Sequence, residues 1–110
     1  LLAAADVVVI PSRWESGPLV LLEALAVGAA VVTTDVGFVG AIAATSPDRP
    51  PFVVVDGRPT AIATAIAELL GDPTRRVALG EVAHRVVRPF LDREPGVVAT
   101  IALYRQAVRR

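Results

Sequence analysis

Two short runs rich in β-branched residues, Asp6-Val-Val-Val-Ile10 and Val31-Val-Thr-Thr34, enclose a stretch of leucine, alanine and glutamate from Pro18 to Val27. The first does not alternate apolar with polar residues, which is the pattern of a strand covered on both faces, and the second is again β-branched. The first, stopped by Pro11, reads as a central parallel strand. The stretch between them is marked as a helix at both ends. Pro18 stands where a first helical residue tolerates a missing N–H, and Gly28 where a helix end favours φ > 0. Strand, helix and strand make a βαβ crossover, with parallel strands and a right-handed connection.

Further on, Phe38 to Thr45 is expected as a short helix and Phe52 to Val55 as a third strand, stopped by Asp56-Gly57. Thr60 to Leu70 carries Ile62, Ile66, Leu69 and Leu70 at helical spacing and ends at Gly71. Asp72-Pro73 then caps a helix running to Leu91, whose last turn Pro89 should break or kink. Glu94-Pro95 opens a final helix with Val97, Ile101, Tyr104 and Val108 on one face. No strand signal follows Val55. The expectation is one α/β domain over residues 1–110: a partial, Rossmann-like unit of about three parallel strands flanked by helices. Because the chain begins at Leu1 and enters a strand almost at once, it reads as a piece truncated at its N-terminal side.

Composition narrows the functional classes. With 54% hydrophobic and 20% charged residues the chain is a folding one, not a disordered one. Eleven basic residues balance eleven acidic ones, so there is no field of the kind a nucleic-acid partner attracts. The arginines near the end, Arg105, Arg109 and Arg110, read as a solvated helix terminus. The absence of cysteine removes disulfides and thiolate metal sites and agrees with a cytoplasmic location. No apolar run reaches a membrane span, and membrane association is not decidable from the sequence. There is no D-x-D and no His or carboxylate cluster at metal spacing, so no metal and no cofactor is expected.

Open α/β sheets bind ligands beyond the carboxyl ends of their strands, and Pro11 to Gly17 lies at such an end. The helix that follows offers free backbone N–H groups from Leu19 and Val20 onward, a place suited to a phosphate. Glu15 precedes that point, and Glu23 stands about one and a half turns inside the helix. Carboxylates accept hydrogen bonds from hydroxyls, not from phosphates, so the layout suits sugars on both sides of a diphosphate. Spacing alone does not carry this reading, because glutamate is an ordinary helix former. A Ser12-x-x-Glu15 capping box is the other bland account, but Gly17-Pro18 would interrupt the helix it begins.

The run from Ala5 to Gly37, A-D-V-V-V-I-P-S-R-W-E-S-G-P-L-V-L-L-E-A-L-A-V-G-A-A-V-V-T-T-D-V-G, resembles the donor-binding segment of retaining glycosyltransferases of the GT-B fold, especially glycosyltransferase family 4. That family carries P-S-x-x-E-G-F-G-x-x-x-x-E-A-(M/L)-A-x-G-x-P-V-V-(A/T)-(T/S)-D, with an E-x7-E pair. The resemblance covers most of the chain and is strongest in its first third. It implies the C-terminal, donor-binding half of such an enzyme: a nucleotide-sugar as donor, an unidentified acceptor, and an acceptor domain upstream. Glu15 falls on the motif glutamate that contacts the donor sugar near the reacting centre, and Glu23 on the one that holds the ribose hydroxyls. Ser16, Gly17, Leu19 and Val20 fall on the loop and helix start whose backbone approaches the sugar and diphosphate.

The sequence also departs from that pattern. Gly17 and Pro18 stand where the family has Phe-Gly, Ala30 replaces a proline, and after Asp35-Val-Gly37 the family continues with Gly and an acid where this chain has Phe38-Val-Gly-Ala-Ile. The family's Arg/Lys diphosphate clamp lies upstream. Arg13, the only basic residue near the turn, reads as solvated or paired with an acid. Trp14 either lines the donor pocket or covers the turn, Asp35 reads as a turn former, and His84 as structural. The rival is a non-catalytic α/β binding or interaction module. A dinucleotide oxidoreductase is disfavoured because no G-x-G-x-x-G follows the first strand.

Overall fold

The computed structural model describes residues 2–91 and 94–108. After a one-turn 3-10 helix at Leu2–Ala4 the chain runs β1 (Val8–Ile10), α1 (Leu19–Ala26), β2 (Val31–Thr34), α2 (Val39–Ala44), β3 (Val53–Val55), α3 (Pro59–Leu70), α4 (Pro73–Leu91) and α5 (Glu94–Val108). The three strands form one parallel sheet in the order β1-β2-β3, with Val8 opposite Val31 and Val32 opposite Val53. The α/β fold expected from the sequence, three parallel strands flanked by helices, is the fold observed. One placement differs: β2 is the central strand and β1 lies at an edge of the three. All four residues of β2 are buried, whereas Val9 of β1 is only half-buried. Two valine-rich runs look alike locally, and only pairing decides which one lies between neighbours.

Each face of the sheet has its own core. Val8, Ile10 and Val31 meet Leu21, Ala24 and Leu25 of α1, Ile42 of α2, and Ala83 and Val87 of α4. On the other face Ala30 and Val32 meet Ala65 and Leu69 of α3. Neighbouring residues of a strand point to opposite faces, so Val31 and Val32 are both fully buried, in different cores. That two-sided burial is why these strands carry no polar alternation.

The ends of α1 follow their sequence signals with one adjustment. Pro18 is the N-cap, extended at φ −75° and ψ 97°, so the helix starts one residue later than expected. At the other end Gly28 takes φ 72°, its N–H bonds Leu25 O at 3.1 Å, and Ala29 N bonds Ala24 O at 3.0 Å. This is a Schellman closure, in which a glycine beyond the last turn lets two orphan carbonyls be satisfied. Asp72 caps α4 as expected, its Oδ1 accepting from Arg75 N at 2.9 Å. Pro89 lies within the last turn of α4, which ends at Leu91. In α5 the expected common face is not a packing face: Ile101, Tyr104 and Val108 are exposed. The Val97 side chain lies outside the described residues.

Candidate functional site

The segment Pro11 to Pro18 leaves the C-terminal end of β1 and delivers the chain to the start of α1. It is tied down from β2. Thr34 is nearly buried, and its hydroxyl donates to the carbonyl of Ser12 at 2.5 Å, with a longer approach to that of Ile10 at 3.4 Å. Within the loop, the Ser12 hydroxyl donates to Oε1 of Glu15 at 3.1 Å. No helix starts there, so the pair is a loop contact and not a capping box, in line with the interruption by Gly17-Pro18.

At the helix start the first amide with a partner in the chain is Leu21 N, which donates to Pro18 O at 3.0 Å. The amides of Leu19 and Val20 precede it and have no acceptor of their own in the helix. They point out of an N-terminus that carries roughly half a positive charge. Glu15 is half-buried on the loop side, Ser16 is exposed, Gly17 is half-buried, and Glu23 is exposed one turn into α1. Leu19 is 68% and Val20 38% exposed, so these side chains face solvent on an open surface. The structure therefore gathers Glu15, Ser16, Gly17, Leu19 and Val20 around one helix start, with Glu23 further along the same helix.

That surface is not an enclosed pocket. A cleft of about 550 Å³ opens beside it, at the carboxyl ends of all three strands, and includes Ser12, Arg13, Asp35, Asp56 and Arg58 but none of the six expected site residues. A larger cavity, about 730 Å³, lies away from it between the Thr45–Arg49 loop and α4. Arg13 makes no ion pair among the described residues and so faces the cleft as a free cation. Trp14 projects into solvent at 84% exposure.

Arg58 was not singled out from the sequence. It pairs with Asp56 through Nε at 2.8 Å, and its backbone N–H donates to the same carboxylate at 3.0 Å. That backbone hydrogen bond first, then the guanidinium, holds the Asp56 carboxyl below the usual aspartate range. The available signal was positional: Asp56-Gly-Arg-Pro59 follows the third strand as Pro11 to Gly17 follows the first, at the same edge of the sheet. His84 is exposed on α4. Its Nε2 sits over Gly28, where an added Cβ would come within 2.7 Å. Among the described residues no three His, Asp or Glu side chains gather as metal ligands would, and no helix is long and apolar enough to cross a membrane.

A parallel sheet with helices on both faces, and a loop that leads from its first strand into a helix start, defines an open α/β domain of the Rossmann-like type. Residues 1–86 match the family model for glycosyl transferases group 1, and the chain belongs to that family. It is 40% identical over 113 residues to the D-inositol 3-phosphate glycosyltransferase of Kineococcus radiotolerans, covering 96% of this chain and 26% of that protein. The protein of the same name from Corynebacterium urealyticum is 44% identical over 81 residues, covering 73% of this chain and 18% of the relative. Among solved structures, sucrose-phosphate synthase from Thermosynechococcus elongatus superposes with a TM-score of 0.82 at 30% identity, over 98% of this chain and 27% of that one. The domain thus has a GT-B-like glycosyltransferase fold, and it spans 18% to 27% of the length of these three proteins.

Proposed function

We propose that the chain is the donor-binding, C-terminal part of a family 4 glycosyltransferase that moves a sugar from a nucleotide-sugar to an acceptor with retention of anomeric configuration. The observation that carries this reading is the open start of α1, flanked by Glu15 before it and Glu23 within it. A diphosphate bound at Leu19 and Val20 gains the helix N-terminus as a counter-charge, and that charge acts most when the nucleoside diphosphate departs and its own negative charge grows. Glu23 accepts hydrogen bonds from the ribose hydroxyls. Glu15, already oriented by Ser12, lies on the sugar side, where its carboxylate faces the reacting centre.

The backbone of Ser16 and Gly17 lines the path between the two carboxylates. No metal is needed in this scheme, since helix amides supply the electrostatic stabilisation. Choice of acceptor belongs to the rest of the protein, where an acceptor domain and further cationic contacts to the diphosphate complete the cleft. The reaction takes place in the cytoplasm, where nucleotide-sugars are the donors.

Titration of UDP, GDP and ADP into the full-length protein tests the reading. One of them should bind, and Glu23→Ala should weaken it by roughly tenfold or more, the worth of hydrogen bonds to a charged group. Glu15→Ala should leave nucleotide affinity nearly unchanged and lower kcat. Unaltered nucleotide affinity in Glu23→Ala, or nucleotide binding without hydrolysis or transfer of sugar from the matching nucleotide-sugar, would turn the reading toward a non-catalytic binding module.

A further inference from the structure

Beyond the helix start, the loop after β1 meets the turn after β2 at two glycines. Gly37 takes φ 53°, and a Cβ placed on it would come within 2.8 Å of the Ser16 carbonyl oxygen and 3.0 Å of Gly17 Cα. The next residue, Phe38, lays its ring over Gly17. A Cβ on Gly17 would fall on Cε1 of that ring and 2.7 Å from Cδ1. Phe38 is itself half-buried against the main core. The ring is therefore held from behind and cannot yield as the end of a flexible side chain does.

Both partners of this contact are places where the sequence departs from the pattern it resembles. That pattern has Phe where Gly17 stands and Gly where Phe38 stands. The contact unites the two departures: the ring that covers Gly17 is carried by the β2–α2 turn. Glycine is the residue with the widest backbone freedom, so a bare Gly17 would be the loosest point of a loop that aims Ser16, Glu15 and the first amides of α1. The Thr34 hydroxyl fixes that loop at Ser12, and the Phe38 ring covers it at Gly17.

We propose that Phe38 is a positioning residue of the donor site: its ring takes the place of a side chain at position 17 and fixes the Ser16-Gly17 backbone against the bound diphosphate and sugar. This rests on the reading of the helix start as the donor site. In the full-length protein, Phe38→Gly, Phe38→Leu, Gly17→Phe and the exchange Gly17→Phe/Phe38→Gly are compared by UDP, GDP and ADP titration, by donor KM and kcat, and by Tm. Phe38→Gly should weaken binding of the nucleotide that the wild type accepts, and raise donor KM, by about tenfold, the worth of a backbone hydrogen bond to a charged diphosphate. Phe38→Leu should do so less. Gly17→Phe alone should lower Tm, as two rings compete for one space, and the exchange should regain most of the lost affinity.

If Phe38→Gly lowers Tm but leaves affinity and KM unchanged, the ring is only packing and the proposal is overturned. The same holds if the exchange binds no better than Phe38→Gly. Should Phe38→Gly not fold, Phe38→Leu and the exchange carry the same comparison. A wild type that binds none of the three nucleotides overturns the donor-site reading and this proposal with it. A wild type that binds, beside Phe38 variants that bind equally well, overturns this proposal alone.

Discussion

Thr34 joins the two ends of the βαβ unit through one hydroxyl. It sits at the last position of β2, is 7% exposed, and donates across to the loop that leaves β1. Thr34→Val keeps the branched shape and removes the donor, which leaves the Ser12 carbonyl without that partner. The expected loss is about 1 to 2 kcal/mol in urea unfolding of the full-length protein. Thr34→Ser should retain most of it. Because the bond fixes the loop that carries Glu15, the valine variant should also weaken nucleotide binding, while the serine variant should not. Thr34 was read from the sequence only as the end of a strand. Glu15 and Glu23, in contrast, were legible because their spacing and flanking residues all lie within one short stretch.

At the scale of elements, the contact between α1 and α4 depends on two glycines. Gly80 is buried within α4, and a Cβ on it would fall on the carbonyl oxygen of Gly28, the residue that closes α1 with φ 72°. Two effects oppose each other in Gly80→Ala. Helix propensity favours alanine by about 1 kcal/mol. Crowding against a backbone atom in a packed interface costs about 1 to 3 kcal/mol, and backbone cannot rotate away, so crowding should win. Gly80→Ala is therefore expected to lower Tm, where the same change on an exposed helix face would raise it. An unchanged or higher Tm would mean that the two helices separate without cost. Neither glycine announces this contact in the sequence: Gly28 is readable there only as a helix stop, and the neighbours of Gly80 in the chain carry no sign of it.

At the scale of the whole molecule, the sheet ends in two strands with an unpaired edge each among the described residues, β1 and β3. Val54 on β3 is 44% exposed, and α5 exposes Ile101, Leu103, Tyr104 and Val108. None of the described side chains of α5 joins either core. Open edges and uncovered apolar side chains are what drives chains to pair with one another. The 110-residue chain expressed by itself should therefore self-associate with rising concentration in sedimentation or light scattering, and should transfer no sugar. A stable monomer over the same range would show that these surfaces are well solvated as they stand.

The sequence by itself determined the kinds of element and their order, because those depend on neighbours a few residues apart. β-branched runs, the Gly28 stop and the Asp72 cap each act within one turn or one strand. Lack of polar alternation did not by itself decide burial on both faces: β2 is buried throughout, whereas the all-valine β3 leaves Val54 exposed. Tertiary structure alone decided that β2, not β1, lies between neighbours, that Arg58 shares a cleft with Arg13, and that the Phe38 ring lies over Gly17. Each of these joins residues far apart in the chain. Their meeting is set by strand pairing and by which helix covers which face, and no local preference encodes that.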